Sequence, residues 1–171
     1  MPNEDVELAQ MLLRLKANAH QGMPWTREEK IALERCFGKG GVVNILAACC
    51  VLSSGRPKNC PKSLRILREA IGRRDASTYA ELLIYEALIA VETRQLAPFY
   101  EATLSFIEQT LTRRTINLDN TIVLLGNLVR AGESRALALL RSLARDKNAD
   151  VRENASFVLR GIPASTSLDA P

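Results

Sequence analysis

The sequence predicts an all-α fold, namely a short α-solenoid (a superhelix) of about four stacked helical hairpins preceded by an N-terminal capping helix. Three observations predict it. Hydrophobic residues make up 47% of the 171-residue chain while aromatics make up only 5%, with Leu, Ala, Glu and Arg abundant. That balance favours helices whose interfaces are filled by Leu and Ala. The stretch Glu133 to Ile162 reads as an amphipathic helix, the turn Lys147-Asn148-Ala149, and a second amphipathic helix. Such a hairpin cannot bury its apolar face alone and requires neighbours of its own kind. The starts of alternate helices, Thr26, Pro61, Pro98 and Glu133, recur at separations of 35, 37 and 35 residues. Residues 1–162 then form one domain, and residues 163–171 a small-residue tail expected to be disordered.

The elements follow from local chemistry. A first helix is expected from about Glu4 to His20, with Asn3 as N-cap and Val6, Leu8, Leu12, Leu13 and Leu15 as its apolar surface. Thr26 and Glu29 have capping-box spacing and open a second helix to about Phe37, with Trp25 stapling the entry. Docking a partner is the alternative use of Trp25. After Gly38, Gly40 and Gly41 comes Val42 to Leu52, apolar on nearly every side. A helix of that kind belongs in the middle of a structure. Pro61 suits the first turn of the next helix, which turns Leu64, Leu67, Ala70 and Ile71 inward. A long helix follows from about Thr78 to Thr93, opened by the pair Thr78 and Glu81. Pro98 starts another, packing Leu104, Ile107 and Leu111; Asp119 caps the helix Asn120 to Ala131, and Gly132 closes it. In the terminal hairpin Leu140, Leu143, Val151, Ala155, Val158 and Leu159 are expected at the interface.

The residues Leu140, Leu143, Asp146, Asp150-Val151-Arg152, Ala155, Leu159 and Ile162 resemble a HEAT repeat of the armadillo-like helical class. That pattern has an Asp at the inter-helix turn and Val-Arg opening the second helix. The match covers about thirty residues, and the earlier units keep the period without the Val-Arg. The tetratricopeptide pattern is of similar length, but its Gly-x-x-Tyr signature is not evident. The HEAT resemblance implies that second helices line a concave face. Projecting those helices gives outward stripes of Glu81, Tyr85 and Glu92, then Asn120 and Asn127, then Glu153, Ser156 and Arg160. Placed side by side, they would form a polar groove for a peptide or a helix. Glu86 projects instead toward Tyr79, Leu82, Leu83 and Ala90, where a carboxylate needs a donor such as Arg114 or Arg130, with a catalytic acid as the alternative reading.

Charge is segregated. From Arg35 to Arg74 nine basic residues face Glu69 alone, whereas from Asp75 to Glu108 six acidic residues face Arg94 alone. Arg56, Lys58, Lys62, Arg65 and Arg73 make a candidate basic patch for phosphates, although aromatics for base stacking are missing there and Arg65–Glu69 suits surface pairing. Gly38-Lys39-Gly40-Gly41 lacks the strand, the upstream glycine and the Lys-Ser/Thr ending of a phosphate loop.

Enzyme chemistry is short of residues. His20 is the single histidine, which excludes the His-Glu metal pairs of HEAT-like di-iron hydroxylases, and no convincing Ser-His-Asp set can be assembled around it. Cys36, Cys49, Cys50 and Cys60 form no Cys-x-x-Cys pair, so no metal or other cofactor is expected. Cys49 and Cys50 inside an apolar helix read as small core residues, with a redox pair as the alternative. The acidic N-terminus and the lack of a membrane-length apolar run lead to the expectation of a cytoplasmic protein. The expected function is non-enzymatic protein binding, as an adaptor, a regulator or an inhibitor of the immunity type. The alternative is nucleic-acid binding of the HEAT-like DNA-glycosylase kind through the basic patch at 56–74. Bilin lyases with such repeats are a further possibility that no residue here supports.

Overall fold

Helices account for nearly all of the regular structure, and no strand occurs among the described residues. The structure is a computed structural model and describes residues 3–20, 24–53, 60–72, 78–91, 93–113 and 118–163. The chain gathers into two compact units, Met1–Val91 and Glu92–Pro171. The tail expected to be disordered lies, from residue 164 onward, outside the described residues.

In the first unit the helices are α1 (Asn3–His20), α2 (Arg27–Cys36), α3 (Gly41–Ser53), α4 (Cys60–Ile71) and α5 (Thr78–Ala90). The entry to α2 is the capping box its sequence specifies. The Glu29 amide donates to Thr26 Oγ1 at 3.2 Å, and the Thr26 amide donates to the Glu29 carboxylate at 2.7 Å. Two amides left over at the helix start thereby find acceptors. Trp25, just before the cap, is buried. Thr78 lies within α5, and the residue that would cap it falls outside the described residues.

α3 is the hub of this unit. Ile45 to Leu52 are all buried, and the helix packs against α1, α4 and α5. Its two adjacent thiols point to different neighbours. Cys49 Sγ donates to the Leu83 carbonyl of α5 at 2.8 Å, and Cys50 Sγ donates to the Leu12 carbonyl of α1 at 3.0 Å. Neither cysteine is in a disulfide, and both act as small core side chains with a weak donor, as their apolar surroundings dictate. On α4, Leu67, Ala70 and Ile71 are buried as the periodicity requires, while Leu64 is only half-buried.

The second unit contains α6 (Thr93–Leu96), α7 (Tyr100–Arg113), α8 (Leu118–Arg130), α9 (Ser134–Leu143) and α10 (Ala149–Arg160). Pro98 does not start α7 itself. It sits in a 3-10 turn, Ala97–Phe99, that leads into the helix, where its missing N–H has no helical acceptor to lose. Asp119 is not the cap of α8 either, because the helix begins a residue earlier at Leu118. Gly132 does close α8. Its φ of 91° lets the Gly132 amide reach the Val129 carbonyl at 2.9 Å and the Glu133 amide reach the Leu128 carbonyl at 3.1 Å. This is the paired closure of a Schellman motif, which favours glycine at the left-handed position.

Side chains and backbone together order the turn between α9 and α10. Asp146 Oδ1 accepts from the Asn148 amide and Asn148 Oδ1 from the Asp150 amide, each at 2.9 Å. Arg152 Nη1 donates to the Asp146 carbonyl at 2.8 Å. The residues the sequence marks at this turn, Asp146 and Arg152, thus lock the hairpin bend, with Asn148 as the N-cap. Leu140, Leu143, Val151 and Ala155 are buried between the helices, while Val158 and Leu159 are half-buried.

Candidate functional site

The α8–α10 face presents the most distinctive surface of the second unit. Asn154 Nδ2 donates to Asp119 Oδ1 at 2.8 Å. One helical stretch further along, a Cβ on Gly126 would lie 2.6 Å from Val158 Cγ1. Both contacts advance in the same direction along the two helices, so α8 and α10 run side by side and parallel. Gly126 is what permits the close approach at that level.

This register fixes what faces solvent. On α8, Asp119, Val123 and Arg130 are exposed, and Asn120 and Asn127 are half-buried. On α10, Glu153, Phe157 and Arg160 share one stripe by helical projection, and all three are exposed. Phe157 is 70% exposed and Val123 42%. The offset set by the Asp119–Asn154 and Gly126–Val158 contacts brings these two apolar side chains to the same level on adjacent helices. Arg130 Nη1 donates to Asn127 Oδ1 at 3.2 Å. Ser156, which the sequence placed in the outward stripe, is half-buried and donates to the Arg152 carbonyl at 2.7 Å.

The α5 stripe is corrected. Glu81 is 3% exposed and Tyr85 is 0% exposed, so both belong to the core of the first unit. Leu82, Glu86 and Ile89 are half-buried and Ala90 is exposed, so the water-facing side of α5 runs through Glu86 and not through Tyr85. The physical reason is that α5 is apolar on nearly every side, so periodicity alone cannot set its phase. Glu92 and Arg114 lie outside the described residues, and Arg130 contacts Asn127. Of the expected groove residues, Asn120, Asn127, Glu153 and Arg160 come together on the α8–α10 face.

In the basic patch Lys62 and Arg65 are both engaged. Lys62 Nζ stands 3.6 Å from Glu34 and 4.5 Å from the centre of the Phe37 ring, which ties α4 to α2. Arg65 stands 3.8 Å from Glu69, the pairing its spacing specifies. Arg56, Lys58 and Arg73 lie outside the described residues.

A separate cleft of about 360 Å³ opens between α7, α8 and α9. Leu111, Leu118, Leu139 and Leu143 form its apolar lining, with Glu108 and Asp146 contributing carboxylates. Leu111, Leu143 and Asp146 carry only packing and turn signals in the sequence, and the cleft has no local signature because it exists only once three helices meet. Arg135 anchors its edge. Its guanidinium reaches Glu101 at 2.5 Å and Glu108 at 2.9 Å, and the two carboxylates hold its charge on more firmly than usual. Near the start of α7, partial burial and then the charge of Glu133 raise the Tyr100 hydroxyl above the ordinary tyrosine range.

Among the described residues there is no cluster of three or more His, Cys, Asp or Glu able to hold a metal ion. No helix among them is long and apolar enough to cross a membrane. Compared with protein families, curated proteins and solved structures, the chain finds no match.

Proposed function

We propose that this chain is a non-enzymatic protein-interaction module, an adaptor, regulator or inhibitor, built as a short HEAT-like solenoid that binds a partner protein through the α8–α10 face. The observation that carries the reading is Phe157, 70% exposed beside Val123 on two helices locked in register. A large aromatic held in water on a rigid scaffold and ringed by polar side chains is the composition of a binding hot spot. The repeat reading draws support from the lateral contacts. Cys49–Leu83, Cys50–Leu12, Asp119–Asn154 and Arg135–Glu101 link alternate helices at separations of 34, 38, 35 and 34 residues. A pile of hairpins with a period near 35 residues produces that recurrence.

The test is affinity capture from native extract with the wild-type chain and with Phe157→Ala and Asn127→Ala variants. The reading expects the captured protein to be lost from the Phe157 variant while helix content stays unchanged. Undiminished capture would remove the α8–α10 face from consideration. A steeply salt-dependent shift of nucleic acid, abolished by Arg65→Glu, would replace protein binding with the nucleic-acid alternative.

A further inference from the structure

The α8–α10 face has a polarity that a two-fold rotation turns into complementarity. Read from N to C, α8 exposes an acid, an apolar side chain and an arginine: Asp119, Val123 and Arg130. α10 repeats the order with Glu153, Phe157 and Arg160. Because the two helices are parallel, both acids lie at one end of the face and both arginines at the other. Asp119 accepts a hydrogen bond from the neutral amide of Asn154, and Arg130 donates one to that of Asn127.

We infer that this face is an isologous interface, and that its partner is a second copy of this chain docked through an antiparallel pairing of the two α10 helices. This rests on the reading of the face as a protein-binding surface and names its occupant. Turning one copy by half a turn about an axis near Phe157 reverses the polarity, so that Glu153 of each copy faces Arg160 of the other. Glu153 and Arg160 are seven residues apart, about 10 Å along the helix, and both ion pairs form at once on either side of the axis. Between them the two Phe157 rings meet each other and the Val123 shelf, and are withdrawn from water. A parallel docking would set acid against acid and arginine against arginine. The sequence order therefore selects the antiparallel arrangement.

The experiment is sedimentation equilibrium of the full chain from micromolar to millimolar concentration. The expected result is a rise from 18.9 kDa toward twice that mass. Glu153→Arg and Arg160→Glu singly should each weaken the dimer about tenfold or more, since each reversal sets like charges together twice. The double variant Glu153→Arg/Arg160→Glu should restore it, because the swap recreates both pairs. Phe157→Ala should give a monomer with unchanged circular dichroism. A wild-type chain that stays at 18.9 kDa throughout overturns the inference. So does a folded double variant that fails to recover. If the chain is monomeric but Phe157→Ala still loses a captured host protein, self-association falls and the binding reading stands.

Discussion

Gly126 on α8 and Val158 on α10 are so close that a β-carbon on Gly126 would stand 2.6 Å from Val158 Cγ1. Val158 cannot swing clear, since a β-branched side chain in a helix has one strongly preferred rotamer. On an isolated helix Gly→Ala should gain about 1 kcal/mol. Here Gly126→Ala is expected to cost about 1–3 kcal/mol through overpacking. Adding Val158→Ala should remove most of that penalty. Urea melts of the two variants check it, and a Gly126→Ala protein more stable than wild type would mean the two helices are not in close contact.

Arg135 joins the start of α9 to Glu101 and Glu108, two carboxylates seven residues apart on α7. Its ion pairs are exposed, so Arg135→Met should lower the melting temperature only slightly at low ionic strength. The difference should vanish in molar salt. Arg135→Lys should recover little, because a single ammonium cannot fork between two carboxylates. Melting curves across a salt series decide the point, and a salt-independent loss would assign Arg135 a packing role instead.

Tyr100 titrates above the ordinary tyrosine range because burial and Glu133 both disfavour its phenolate. The sign follows from linkage. A folded-state pKa raised above the unfolded value contributes stability that is present in full below about pH 10 and is lost as the pH climbs through the folded value. Tyr100→Phe should therefore resist alkaline unfolding better than wild type. Glu133→Gln should bring the Tyr100 titration part of the way back, as followed by phenolate absorbance. No movement in that titration would leave burial as the whole cause.

Leu140 is fully buried at the interface of the terminal hairpin. Leu140→Ala is expected to cost about 2–5 kcal/mol, the upper part of that range applying if the cavity cannot collapse. Chemical denaturation measures it, and a loss below 1 kcal/mol would be too small for a buried leucine of this kind.

Much of the fold was legible because caps and periods are local. Thr26 and Glu29 announce α2, Gly132 announces the end of α8, and the apolar run through Cys49 and Cys50 announces a central helix. The phase of α5 was not legible. With apolar residues on nearly every side, Glu81 and Tyr85 looked outward by projection, yet neighbouring helices bury both. Phe157 was legible in principle, because it lies four residues after Glu153 and three before Arg160 on the stripe projected outward, but the rule that large apolar side chains are buried outweighed that position. Asp119 looked like a cap because acids favour that place. The helix starts one residue sooner, and Asp119 turns to Asn154, a partner 35 residues away that no local rule supplies.

The lateral hydrogen bonds that tie alternate helices together each span fewer than forty residues of chain. Each tie closes only a limited stretch of chain, so its formation is not expected to wait for distant segments. On the ribosome, α3 can shelter its thiols as soon as α5 has emerged. The contacts that define the first unit lie within Met1–Val91, so it is expected to form while the second is still being translated.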